Sequence, residues 1–140
     1  MNYVEISKEA VGHLYQSHRS LRKSVLDIKL IMLAELRVSQ LNGCAYCCGF
    51  HAAELRESGI SQALLDVLPG WKLSAAFDAK QRLVLQWAES VTLLQNDIPD
   101  HLEQLKVLFS SEELVDLTTS ISLMSALNRL RITLADKETI

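Results

Sequence analysis

The chain has 140 residues, of which 49% are apolar and 22% charged, and its formal net charge at pH 7 is −3. A chain of this length and composition is expected to fold as one domain, residues 1–140, whose core needs no disulfide for stability. The basic residues are scattered, which excludes a nucleic-acid-binding face and adhesion to an anionic membrane, and no apolar run is long enough to span a bilayer.

Helical periodicity continues through nearly the whole chain, and the alternation typical of strands is almost absent. We therefore predict an all-α fold, a single-domain helical bundle of about six helices. In chain order, the predicted segments are 7–20, 25–41, 45–58, a short helix between 61 and 69, a helix starting at 78, a short segment opening at 99 or 100, and a last helix over 110–134.

Capping signals mark several of these boundaries. Gly43 is placed to end the second helix, because a glycine after the last turn adopts the left-handed conformation easily. A Ser or Asp followed three residues later by Glu or Gln predicts a capping box at a helix start. Three such boxes are predicted: Asp78 with Gln81, Asp100 with Glu103, and Ser110 with Glu113.

Two predicted helices, 25–41 and 114–134, are apolar over more than one stripe. A helix that is apolar nearly all round is either central in the fold or buried between subunits. Since a chain of this size has little room for two interior helices, we expect a homo-oligomer. The alternative is a compact monomer with one central helix.

The cysteines of the chain lie close together in NGCAYCCGFHAAE, residues 42–54, at positions 44, 47 and 48, and a histidine follows at 51. With the third helix starting at Cys44, the four side chains share one arc of about 100°. They therefore form a single stripe. The N-terminus has no signal-peptide pattern, so we expect a cytoplasmic protein. Thiols stay reduced in the cytoplasm, where a tight cysteine cluster is more often catalytic, redox-active or metal-binding than structural.

Three interpretations of the cluster compete. Zinc requires ligands in a tetrahedral arrangement, which four side chains on one helix face cannot supply, so we expect no metal and no other cofactor. Buried cysteines also pack as small apolar residues, which suits Cys48. Redox chemistry suits Cys44 and Cys47, because residues three apart on a helix have Cα atoms about 5–5.5 Å apart, within reach of a disulfide.

The helix start also favours a reactive sulfur. Unpaired N–H groups and the positive end of the helix dipole stabilise a thiolate, and the thiolate is the form that attacks a peroxide or a disulfide. His51 follows Cys47 by one helical turn, so its ring can reach that sulfur and accept its proton. The sequence therefore predicts Cys44, Cys47 and His51 as catalytic residues.

The stretch LRVSQLNGCAYCCGFHAAE resembles the core motif of alkylhydroperoxidase D-like proteins, within the carboxymuconolactone decarboxylase family. The resemblance continues in LPGWKLSAAF, LVLQWAESVT and NRLRITL, and covers residues 30–134 approximately. It implies an all-helical homo-oligomer, a trimer or a hexamer.

The resemblance also implies roles for the predicted site residues. Cys47, next to His51, would attack a hydroperoxide, and Cys44, nearer the surface, would resolve the oxidised sulfur by forming the disulfide. His51 would belong to a proton relay. An external thiol or dithiol would serve as electron donor and reduce the Cys44–Cys47 disulfide.

Two positions depart from the family pattern. Family members carry a relay glutamate twelve residues before the first cysteine, where this chain has Met32. Glu35, one turn later, is a candidate to replace it, and an exposed, ion-paired surface position is the simpler interpretation. Cys48 stands where a bulky apolar residue is usual; packing is the favoured role, and a competing disulfide with Cys44 or Cys47 is the alternative.

The motif and the resemblance together predict a thiol-dependent peroxidase or disulfide redox enzyme, which reduces hydroperoxides in antioxidant defence. One alternative is a redox-sensing oligomer that uses the disulfide as a switch without turnover. The other is a lactone-acid enzyme of the carboxymuconolactone decarboxylase type, for which the C-x-x-C pair is unnecessary.

Overall fold

The structure, a computed structural model, describes residues 1–137. Over this range the chain forms eight α-helices, one short 3-10 helix and no β-strand, which confirms the all-α prediction. None of these helices combines the length and the hydropathy that a membrane span requires. The elements are α1 Tyr3–Ile6, α2 Lys8–Leu21, α3 Ile28–Asn42, α4 Ala45–Glu57, α5 Gln62–Val67, the 3-10 helix Leu68–Leu73, α6 Ala79–Leu93, α7 Ile98–Leu108 and α8 Ser111–Leu134.

The N-terminal part differs from the prediction at two points. A short helix, α1, precedes α2, and its N-cap Asn2 accepts a hydrogen bond from the Glu5 backbone nitrogen at 3.3 Å. The next helix, α3, begins at Ile28 rather than near residue 25. Asp27 is its N-cap and accepts from the Lys29 nitrogen at 2.9 Å, so the residues before Asp27 form a turn.

Two of the three predicted capping boxes are present, at Asp78 with α6 and at Ser110 with α8. The third, at Asp100, is wrong. The N-cap of α7 is Asp97, so Asp100 lies inside the first turn of that helix. The cause is Pro99, whose fixed φ and missing N–H suit the first turn of a helix and move the start upstream.

Helix α3 lies at the centre of the fold and contacts α4, α6 and α8. On one side it contributes Ile31, Ala34 and Val38 to an apolar cluster with α6, α7 and α8. On the other side Met32 and Leu36 pack in a second cluster with α4, α5 and the 3-10 helix. The apolar surface of α3 is therefore buried largely within one chain, and the homo-oligomer stays a prediction.

Candidate active site

The turn between α3 and α4 positions the two predicted redox cysteines. Gly43 ends α3 with φ of 73°, a left-handed conformation that glycine adopts without strain. Cys44 is then the N-cap of α4, and its Sγ accepts a hydrogen bond from the Cys47 backbone nitrogen at 3.4 Å. The two Cα atoms are 5.3 Å apart and the two sulfurs are joined in a disulfide. The predicted pair is thus bonded at the positive end of α4.

The third cysteine, Cys48, is free and half-buried. It packs against the cluster that contains Met32 and Leu55. Burial raises the pKa of the Cys48 thiol, which keeps it protonated and poorly nucleophilic. Its surroundings therefore fit the packing role.

Cys47 opens on a cavity of about 250 Å³, here named the Cys47 pocket, which His18 and His51 also line. Cys44 is 2% exposed and Cys47 is 8% exposed, so Cys44 is not the sulfur nearer the surface within this chain. The remaining walls are largely aromatic and aliphatic. They include Tyr3, Tyr15, Tyr46, Phe50, Met124 and Leu127.

Two phenols of the pocket form a pair. The hydroxyls of Tyr3 and Tyr15 lie 3.4 Å apart. Burial, together with the hydrogen bond to Tyr3, raises the pKa of Tyr15 to about 12. Tyr15 is therefore a neutral phenol at physiological pH and adds no charge to the pocket.

The imidazole of His51 is buried, with 3% of the residue exposed. Its Nδ1 lies 2.9 Å from Oε2 of Glu54 and 3.4 Å from Oε2 of Glu35. An ionised carboxylate can only accept a hydrogen bond, so we assign the proton to Nδ1. In the neutral ring Nε2 is then the basic nitrogen.

Glu35 is fully buried, and its interpretation as an exposed surface residue is wrong. Arg22 binds it with both terminal nitrogens, Nη1 to Oε1 at 3.0 Å and Nη2 to Oε2 at 2.7 Å. Ser120 of α8 donates to Oε1 at 2.8 Å. Glu35 therefore lies beside His51, whereas Met32, at the usual position of the relay glutamate, packs in an apolar cluster.

Both carboxylates next to His51 are held in the ionised form. Burial favours a higher pKa for Glu35, but hydrogen bonds from His18 and Arg22 outweigh it and lower the pKa to about 2. For Glu54, burial is likewise outweighed by the hydrogen bond with His51 and the charge of Arg22, which lower its pKa. The single positive charge of Arg22 thus faces two carboxylates, both of which contact the His51 ring.

Sequence reasoning missed several members of this cluster. Arg22 Nη2 contacts Glu54 Oε2 at 3.0 Å and His18 Nε2 at 3.1 Å, in addition to Glu35. Glu54 could have been found, because a residue three positions after His51 shares its helix face. Arg22 and His18 belong to α2 or its C-terminal end, and nothing in the local pattern connects them with α4.

The side chains of His18, Glu35 and His51 offer ligand atoms within 4.8 Å of one another, a spacing compatible with a metal ion. Arg22 Nη2 lies among them, 2.7 Å from Glu35 and 3.1 Å from His18. The guanidinium therefore occupies the space that an ion would need, and its charge opposes a second cation. The cluster is an ion-pair network built on an internal cation.

Comparisons with known proteins agree with the motif. The model of the carboxymuconolactone decarboxylase family matches residues 8–90. The uncharacterized protein YdfG of Bacillus subtilis is 25% identical over 139 residues, which are 98% of this chain and 95% of that protein.

Solved structures share the fold. A protein of unknown function from Agrobacterium tumefaciens, described as a candidate antioxidant defence protein AhpD, superposes with a TM-score of 0.92 at 30% identity, over 100% of this chain and 97% of that one. An uncharacterized peroxidase-related protein from Silicibacter sp. TM1040 gives a TM-score of 0.80 at 21% identity, over 98% and 83% of the two chains. The second similarity concerns the fold alone.

Proposed function

The chain belongs to the carboxymuconolactone decarboxylase family and has an alkylhydroperoxidase D-like core, and from this premise we propose that it is a thiol-dependent peroxidase. Family membership and the Cys44–Cys47 disulfide fit a redox role. One observation carries the finer proposal: Cys47, half of that disulfide, shares a pocket with a buried histidine that two ionised carboxylates hold in place.

The proposed cycle starts from the reduced dithiol. The Cys47 thiolate attacks the terminal oxygen of a hydroperoxide, the O–O bond breaks, and the products are a Cys47 sulfenic acid and an alkoxide that takes up a proton to leave as the alcohol. Cys44 then attacks the sulfenic sulfur, which forms the disulfide and releases water. An external thiol or dithiol donor supplies the two electrons that restore both thiols.

His51 is the proposed proton acceptor for Cys47. Nδ1–H donates to the carboxylates, which leaves Nε2 to take the thiol proton and later return one to the alkoxide. Glu35 and Glu54 orient the ring and stabilise the positive charge that it gains. Arg22 keeps Glu35 ionised, so Glu35 replaces in function the glutamate that is absent at position 32.

The pocket suggests the kind of hydroperoxide. Cys47 and the imidazoles of His18 and His51 line one part of it, and apart from Arg131 its other walls are aromatic or aliphatic. A substrate with an apolar body beside its –OOH group would bury that body against these walls. We therefore propose organic hydroperoxides as substrates.

The proposal is tested by treating the reduced protein with tert-butyl hydroperoxide and measuring its intact mass without reductant. We expect a loss of two hydrogen atoms that maps to Cys44 and Cys47, and no such loss in Cys47→Ser. The matched control is Cys48→Ala, which removes a neighbouring thiol and should form the disulfide normally. Thiols that stay intact in excess peroxide would contradict a redox function.

Turnover separates the alternatives. With dithiothreitol as donor, a peroxidase consumes many equivalents of hydroperoxide per chain. Disulfide formation without turnover, under monothiol and dithiol donors alike, would favour the redox-sensing oligomer. Activity on a lactone acid that survives Cys47→Ser would favour the decarboxylase type.

A further inference from the structure

The two cysteines of the disulfide line different cavities. Cys47 lines the Cys47 pocket, whereas Cys44 lines a wider surface groove of about 810 Å³, here named the Cys44 groove. The groove runs between the first turns of α4 and the end of α8. Residues that line it and not the pocket include Gly43, Ala45, Gly49, Ile132 and Lys137.

A wall of three side chains separates the two cavities. Tyr46, Phe50 and Arg131 line both of them. The rings of Tyr46 and Phe50 stack with centroids 6.2 Å apart and planes inclined by 14°, and the Arg131 guanidinium lies 3.7 Å from the Tyr46 ring centre. A molecule in the pocket and a molecule in the groove therefore meet opposite ends of the same disulfide.

Cys44 itself is buried, but its neighbours in the groove, Gly43 and Ala45, are exposed. The residues flanking Cys44 are small, and a Cβ built on Gly49 meets no atom within 4 Å, so the space above α4 is open. The thiolate is the species that attacks a disulfide, so a thiol bound in this groove would lie beside Cys44.

We propose that the Cys44 groove is the docking site of the thiol reductant, whose thiolate attacks Cys44 Sγ, while the hydroperoxide reaches Cys47 through the separate pocket. This inference rests on the proposed function. It assigns the oxidant and the reductant to opposite sides of the aromatic wall, so neither needs to leave before the other binds.

The step balances as a thiol–disulfide exchange. The reductant sulfur bonds to Cys44, the Cys44–Cys47 bond breaks, and its electron pair leaves on Cys47 as the thiolate. The thiolate released on Cys47 lies in the first turn of α4 and shares its pocket with His51. A second thiol then attacks the reductant sulfur, which frees Cys44 as a thiolate and releases the reductant as its disulfide.

The first experiment locates the attacked sulfur. Protein carrying Cys48→Ala is oxidised with tert-butyl hydroperoxide, and formation of the Cys44–Cys47 disulfide is checked first, since its absence would refute the proposed function itself. The oxidised protein is then mixed briefly with 2-mercaptoethanol, quenched with acid, and labelled with N-ethylmaleimide. We expect fragment masses with mercaptoethanol on Cys44 and maleimide on Cys47. The reverse assignment would overturn the inference.

The second experiment uses matched glycine variants to test whether the groove serves reduction alone. Gly49 and Gly12 both lie inside helices and have open space around the Cβ position, but only Gly49 lines the groove. We expect Gly49→Glu to slow reduction by mercaptoacetate about three- to tenfold through charge repulsion near the surface. The rate of oxidation by peroxide should not change, and Gly12→Glu should change neither rate.

Two results would overturn the docking site. Gly49→Glu could slow oxidation and reduction equally, which would mean that one cavity serves both reactants. Alternatively, it could change the sedimentation coefficient without changing the reduction rate, which would mean that a second copy of the chain covers the groove. Cysteamine, a cationic thiol, is the final control: Gly49→Glu should slow reduction by cysteamine less than it slows reduction by mercaptoacetate.

Discussion

Glu35 and Glu89 are both buried glutamates that accept hydrogen bonds from an arginine, but their surroundings differ. Glu35, in α3, is bound by Arg22 and lies near the imidazoles of His18 and His51. Glu89, in α6, is held by three residues, none of them a histidine: Arg37 through Nε at 3.0 Å and Nη2 at 2.8 Å, Trp71 Nε1 at 2.7 Å and Lys72 Nζ at 2.8 Å.

The comparison shows that burial of a charge is not by itself a sign of function. In the Glu89 cluster the partners are a guanidinium, an indole and an ammonium group, and they fix the 3-10 helix and α3 against α6. In the Glu35 cluster two of the neighbours are imidazoles, His18 and His51, and both share a pocket with Cys47. Imidazoles next to a nucleophile therefore distinguish the Glu35 cluster from the Glu89 cluster.

The largest expected effect is on catalysis, in His51→Gln. Loss of the proton acceptor should slow oxidation of Cys47 by tert-butyl hydroperoxide about 10²- to 10⁴-fold. Raising the pH should recover part of the rate, because the thiol then ionises without a base. The matched control is His101→Gln, a histidine bonded to Ser90 away from the cysteines; an equal loss in that variant would contradict the assigned role.

The two glutamates themselves give the next largest effect. Glu35→Gln and Glu89→Gln should each lower the free energy of unfolding by about 3 kcal/mol, since each leaves buried donors facing an amide. Only Glu35→Gln should also slow Cys47 oxidation, by about ten- to a hundredfold, because only it removes an orienting partner of the histidine. Denaturant unfolding and stopped-flow oxidation measure the two quantities. Similar rate losses in both variants would mean that destabilisation of the fold, and not impaired proton transfer, slows the oxidation.

The acid sensitivity of the fold should depend on the ionised carboxylate of Glu35. The pKa of Glu35 is lowered from 4.5 to about 2, so its stabilising contribution is complete above the unfolded-state pKa and disappears as the pH falls towards 2. About 2 kcal/mol of stability should be lost between pH 5 and pH 3 from this group. Urea unfolding of Glu35→Gln across that range should show a correspondingly flatter pH dependence. An unchanged slope would contradict the ionised, bonded state of Glu35.

The smallest effect is expected at the exposed edge of the Glu89 cluster. The Lys72 side chain is 56% exposed, and an ion pair of this kind contributes about 0–1 kcal/mol. Lys72→Met should therefore leave the free energy of unfolding nearly unchanged, since Trp71 and Arg37 still bind Glu89. Thermal unfolding in low and high salt would check this; a loss as large as that of Glu89→Gln would show that Lys72 is essential to the cluster.

Much of the fold was predictable because its signals are local. The capping boxes at Asp78 and Ser110 and the turn at Gly43 depend on residues within one helical turn of each other, and all three are present. The errors have local causes too: Pro99 moved the start of α7 upstream of Asp100. The short α1 has only four residues, too few for a hydrophobic period to be recognised.

The sequence by itself determined the helical fold and placed Cys44 and Cys47 within reach of a disulfide, because both follow from spacing within one helix. The tertiary structure decided that Cys48 stays free, that Glu35 is buried beside His51 and held by Arg22, and that Cys44 and Cys47 line separate cavities. Glu35 contacts Arg22 across 13 residues and Ser120 across 85. Such contacts depend on how whole helices pack, and a periodic pattern within one helix contains no information about which neighbour covers each face.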